Sequence, residues 1–305
     1  MIRSVFLILS LSLSIVTNSF GAAGRFSKLD EKFLKRGELS YSELTSLRGL
    51  YKKLIKRSSV SADDKLYGIT QMARIDIYRG GILPNLREIS IDKQKAAMDA
   101  CIEDVKTIKD SDSPQYYYLY LACVGFRGKL EGMLGRVKYG LMMRRTQEAA
   151  VRASTRNFGG FEGGGINRVM SAVRGNRKAK PLGLYDAAEA VSFAEKALAT
   201  PAAAYAPFTQ ELTGEDFFEN HFYLAQSTIA LGIENNDINK VFEGNGILIS
   251  KIKKIDLLNK VNKLGERKPE TLGYQKLMKN LNGHVEACKS ESDWSSCLSD
   301  RLSDN

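Results

Sequence analysis

Helix start signals recur along this chain, and they confine it to a fold built from helices. Ser40-x-x-Glu43 reads as a capping box, in which the serine oxygen and the glutamate satisfy free N–H groups at a helix start. Leu47, Leu50, Tyr51 and Leu54 follow at i, i+3, i+4 and i+7, one apolar stripe. Ser61 caps the next predicted helix, and the helix dipole favours Asp63 and Asp64 in its first turn. Ile69, Ala73 and Ile77 make its stripe, and Gly80-Gly81 ends it. A third helix is predicted from Ile91 to Ile108. Ser113-Pro114 opens a long one, with proline at the first helical position, running to Tyr139 and carrying Tyr116, Tyr117, Tyr118, Tyr120 and Phe126. These aromatics are read as packing between helices rather than the lining of a groove. Further helices are predicted over Leu184–Thr200, over Asp216–Leu231 behind Thr213-x-x-Asp216, and in shorter pieces to Leu302. Only 6 prolines occur in 305 residues, and no alternating apolar–polar run is long enough to demand a sheet. The expected fold is all-α.

The first residues set the expected compartment. Met1-Ile2-Arg3 supplies a positive charge, Val5 to Val16 is apolar apart from serines, and Ser19-Phe20-Gly21 places small residues at −3 and −1 of a cut before Ala22. That is the order of a secretory signal peptide, and the apolar run is too short for the about 20 residues a membrane span requires. Residues 1–21 are therefore expected to be a leader, and 22–305 an exported domain that is periplasmic or secreted. No cysteine lies near the cut, which argues against a lipoprotein anchor.

Four cysteines permit three connectivities, among which sequence alone does not choose; geometry favours the two sequence-local pairs, Cys101 with Cys123 and Cys288 with Cys297. The Lys109–Pro114 turn lies midway between the first two, and equal distances from a hairpin turn bring two positions to the same height. The second pair flanks Ser290-Glu291-Ser292; an unbroken helix would hold it about 13 Å apart at 1.5 Å per residue, beyond bridging reach. A disulfide there requires a helix break near Ser292. Zinc ligation is the rival reading, but there is no Cys-x-x-Cys and only two histidines, His221 and His284. No metal site and no cofactor are expected, and disulfides suit an oxidising compartment.

Met142 to Pro181 is strongly basic. Arg144, Arg145, Arg152, Arg156, Arg168, Arg174, Arg177, Lys178 and Lys180 face only Glu148 and Glu162. With a formal net charge of +10, this favours phosphate-rich or otherwise anionic surfaces. For an exported chain those are envelope polymers or lipid headgroups rather than nucleic acid, although a merely soluble surface is the plainer reading. The same stretch holds Gly159-Gly160-Phe161-Glu162-Gly163-Gly164-Gly165, without P-loop or G-x-G-x-x-G spacing. It reads as a bent connection between two helical lobes, near 157–183.

Ala190, Ala194 and Ala197 space small residues along one helix face before Pro201, and Leu224-Ala225 and Ala230-Leu231-Gly232 follow on the next helix. Together they look like neighbouring helices of tetratricopeptide (TPR) repeats. The order Gly163-Gly164-Gly165-Ile166-Asn167-Arg168-Val169-Met170, then Pro181-Leu182-Gly183, then Asn220-His221-Phe222-Tyr223-Leu224-Ala225, resembles the periplasmic T component associated with TRAP transporters, over about residues 150–232. The resemblance implies an irregular TPR-like solenoid of helical hairpins. It further implies a non-enzymatic binding or scaffold role, with a small organic or amphipathic ligand, or a transporter component, as partner.

Arg168, Asn220 and Tyr223 are the candidate ligand residues. An arginine among glycines can fork onto a carboxylate, although pairing with Glu162 is the plainer role for Arg168, and a loop hydrogen bond for Asn220. Catalysis is not favoured. His221 and His284 lie beside no serine or cysteine motif. The acids around the basic region, Glu162, Glu211, Glu215, Asp216 and Glu219, would have to pair for glycan cleavage.

Overall fold

The computed structural model describes residues 24–109, 113–156, 161–205, 207–208 and 211–303. The expected leader lies outside them. Helix α1 covers 24–34. It is followed by α2 (Tyr41–Ile55), α3 (Ala62–Ile77), α4 (Ile91–Lys106), α5 (Pro114–Lys129), α6 (Met133–Arg156), α7 (Gly165–Arg174) and α8 (Ala187–Leu198). Then come α9 (Phe218–Glu234), α10 (Ile238–Lys260), α11 (Lys268–Cys288) and α12 (Trp294–Ser303). A two-residue antiparallel ribbon pairs Ala203–Ala204 with Glu211–Leu212 and is the only strand structure among the described residues. The protein is all-α, and no described helix is long and apolar enough to cross a membrane.

The local punctuation works as the sequence predicts. Ser40 and Glu43 form the reciprocal capping box of α2, Ser61 accepts from the Asp64 N–H, and Ser113 accepts from the Tyr116 N–H ahead of Pro114. Three readings change. The apolar face of α2 is Leu44, Leu47 and Tyr51, while Leu50 is 43% exposed. Gly80-Gly81 does not end its element but continues it through a π-helical turn, Tyr78–Ile82, where the Phe126 ring lies against Gly81. The predicted helix from Pro114 to Tyr139 is two helices. Tyr139 and Met143 bury themselves with α5 side chains in one core, which a straight continuation would prevent, so α6 folds back and Tyr139 lies 5.1 Å beneath the Arg127 guanidinium.

Each helix packs chiefly on its neighbours in sequence, from α2 on α3 through to α11 on α12. Ala190, Ala194 and Ala197 are fully buried, which lets α8 approach α7 and α9 closely. The array also closes on itself. Helix α11 touches residues 78–85, and buried Arg36 donates to Glu270 at 2.6 Å. One core joins Phe26, Leu44, Tyr51 and Met72 from the N-terminal helices with Phe222, Ile229, Tyr274 and Met278 from the C-terminal ones. A second core fills α4 to α7.

Both cysteine pairs are disulfides. Cys101–Cys123 joins α4 to α5 with Cα atoms 6.0 Å apart, and Cys288–Cys297 joins α11 to α12 at 5.7 Å. The chain breaks between Cys288 and Trp294, as the second bridge requires. All four thiols are consumed, which removes them as zinc ligands.

A buried arginine hub as the candidate functional site

The glycine-rich segment is built into the core. Glu162, Gly163 and Gly164 follow one another in left-handed backbone, at φ of 53°, 59° and 77°. Glycine takes that conformation freely, whereas for glutamate it costs on the order of 1–2 kcal/mol. The turn leads directly into α7, which packs on α5, α6, α8 and α9. Residues 161–183 thus hold a core helix instead of a bare connection; 157–160 lie outside the described residues.

The strained turn aims its polar groups inward. The Glu162 carboxylate meets Arg74 of α3, with Arg267 Nη1 3.9 Å from its other oxygen. Arg267, just before α11, also binds the Glu219 carboxylate of α9 and lies 4.1 Å over the Phe217 ring. Arg168 is 5% exposed. It donates to Asn220 Oδ1 at 3.0 Å, to the Glu162 carbonyl at 3.0 Å and to the Tyr118 hydroxyl at 3.4 Å. Asn220, wholly buried, donates in turn to the carbonyls of Gly163 at 2.9 Å and Gly214 at 2.8 Å. Tyr223 and Tyr274 place their hydroxyls 3.3 Å apart at the edge of the cluster. Every odd-numbered helix from α3 to α11, or the segment leading into it, supplies a group to this hub.

Of the predicted ligand residues, Arg168 and Asn220 are hydrogen-bonded to each other, and Tyr223 lies close by. Arg74, Arg267, Tyr118 and Tyr274 were not legible as members. Arg74 alone left a trace, as a cation beside Ala73 in the Ile69–Ala73–Ile77 stripe. The plainer role expected for Arg168 is met by the Glu162 carbonyl, not its carboxylate. Among the described residues no carboxylate lies within the 4.0 Å of an ion pair from Arg168. Three arginines therefore lie around Glu162 and Glu219, with Asp30 acting on Arg74 and Glu270 on Arg267 from further out. Glu219 Oε2 has no hydrogen-bond partner.

The electrostatics follow from this crowding. Burial alone would raise the Glu162 carboxyl, yet Arg74, Arg267 and Arg168 together hold it below its ordinary value. Burial drives the Tyr274 hydroxyl well up, helped by Tyr223 and Glu219. His221 sits apart. Its Nε2 lies 3.0 Å from the Glu215 carbonyl, and burial, then Lys251, lowers its pKa. Of the other candidate acids, Asp216 caps Thr213, Glu215 pairs with His221 and Lys251, and Glu211 lies exposed on the ribbon.

Fold and site together define a class: an all-α protein with two disulfides whose helices close around a buried arginine–glutamate hub. No protein-family model and no curated protein matches the chain.

Proposed function

We propose that the chain is an exported, non-enzymatic, TPR-like binding protein of the kind associated with TRAP transporters, and that its hub takes the carboxylate of a small organic acid. The observation that supports this most is the Arg168 guanidinium, buried yet given only neutral acceptors. Glu162 and Glu219 balance its charge without touching it, and a ligand carboxylate would add the direct charge-assisted hydrogen bond that the protein does not supply. Glu219 Oε2 supplies an acceptor for a hydroxyl or ammonium group on the same molecule. The sequential helix packing and the alanine face of α8 support the TPR-like architecture. The two disulfides support export to an oxidising space.

Mass spectrometry of acids retained by the native protein, followed by thermal unfolding against a panel of mono- and dicarboxylic acids, tests the reading. At least one acid should raise Tm in the wild type, and Arg168→Lys, which keeps the charge but loses the fork, should weaken its binding at least about tenfold. If no acid is retained and none shifts Tm, the hub serves only to hold the fold.

A further inference from the structure

Helix α6 holds six cations, Arg136, Lys138, Arg144, Arg145, Arg152 and Arg156, against a single acid, Glu148. Its inner face is Tyr139, Met143 and Ala150. The outer face carries Lys138, Arg144, Arg145 and Arg152. Among the described residues, no carboxylate comes within ion-pair distance of Lys138, Arg144 or Arg145, and Arg152 lies 3.7 Å from the exposed Glu148. Between these cations stand Val137 and Leu141, each 39% exposed and one helical turn apart.

A second basic element flanks this face. The 3-10 helix Arg177–Leu182 packs on α6, with Leu182 seated against Gly140, one turn before Arg144. It borders an open cleft of about 410 Å³ lined by Arg177, Lys178, Lys180, Pro181 and Ser299, with no acid among them. Arg177 donates to Ser299 Oγ at 2.5 Å, which fixes the cleft against α12. The depression is open to solvent and carries three cations on its walls.

We infer that the outer face of α6 and the Arg177–Lys180 cleft form a docking surface for an anionic lipid bilayer. Cations flanking exposed aliphatic side chains are the pattern of a helix lying in the headgroup plane. There the apolar pair enters the acyl boundary while the charges meet headgroup phosphates. A soluble polyanion would reward the cations alone and leave Val137 and Leu141 in water. The surface is distinct from the Arg168 hub and does not depend on it.

Co-sedimentation of the full chain with phosphatidylglycerol–phosphatidylcholine vesicles, against pure phosphatidylcholine, tests the inference. Binding to the anionic vesicles should exceed binding to the neutral ones and fall at least about tenfold as salt rises from about 0.05 to 0.5 M. The double variant Arg144→Glu/Arg145→Glu should reduce it at least about tenfold. Leu141→Ser should weaken vesicle binding while leaving dextran sulfate binding unchanged. Equal binding of the charge-reversed variant and the wild type to anionic vesicles overturns the proposal. So does a Leu141→Ser protein that binds vesicles as well as the wild type, which would make the face a site for soluble polyanions. Circular dichroism of each variant shows that the helices are intact, since the substituted side chains lie on the solvent side of α6.

Discussion

Asp76 and Glu162 are both buried carboxylates held by arginines, yet their surroundings pull them in opposite directions. Asp76 joins Arg48 of α2 and the nearby Arg79. Arg48 divides its guanidinium between Asp76 and Asp104 of α4. Desolvation prevails there, and the Asp76 carboxyl is pushed up to about 6. Glu162 faces Arg74 and Arg267 with Arg168 beyond, and these three cations carry it below its ordinary value. The Asp76 cluster links partners 28 and 56 positions apart, within adjacent helices. The Glu162 hub spans 88 positions to Arg74 and gathers groups from the whole array. One cluster fastens neighbours; the other closes the ring.

The strongest way to break this contrast is Glu162→Gln. Removing that charge takes the shared carboxylate from buried Arg74 and Arg267 and should cost about 3–5 kcal/mol in urea unfolding. Loss of cooperativity between the N- and C-terminal helices should accompany it. A cost below about 1 kcal/mol would show that the ring closes without the hub.

The disulfides probe links of shorter range. Cys101–Cys123 closes 22 residues and Cys288–Cys297 closes 9. Replacing each pair with serine should cost about 3 and about 2.5 kcal/mol respectively, from the loop-closure entropy restored to the unfolded chain. Neither replacement should separate the two ends of the array, since both bridges join helices adjacent in sequence. Hydrogen exchange of α3 and α11 checks this.

The smallest expected effect sharpens the electrostatic half of the comparison. Asp76 has a folded value near 6 against an ordinary 3.8, so the folded state binds its proton more tightly. Its contribution is full below about pH 4 and is lost as pH rises through about 6. Glu162, with its value lowered, contributes above the ordinary glutamate range and loses that contribution as pH falls through its folded value. Relative to Asp76→Asn, the wild type should therefore lose about 1–3 kcal/mol between about pH 4 and 7. A flat difference across that window would place Asp76 at an ordinary value and erase the contrast.

Sequence reading succeeded where cause and effect lie within a turn or two of helix. Ser40, Ser61 and Ser113 cap the helices they were expected to cap, because a cap joins a side chain to a backbone N–H three residues on. The cysteine pairing was legible because hairpin geometry relates positions on either side of one turn. The break between α5 and α6 falls between Gly128 and Gly132, a glycine signal the stripe reading passed over; Tyr139 and Met143 then reach back to α5. Arg168 and Asn220 read from the sequence as separate ligand groups; neither their burial nor the hydrogen bond between them has a local signal.

By itself, then, the sequence determined an all-α chain and its start signals and favoured its two covalent staples, all of which act over short separations. Only the tertiary structure decided that Arg74, Glu162, Arg168, Glu219 and Arg267 share one interior. Those residues come from segments far apart in the chain and have no common local signal. A charge becomes costly enough to demand a partner only after the surrounding helices have excluded water.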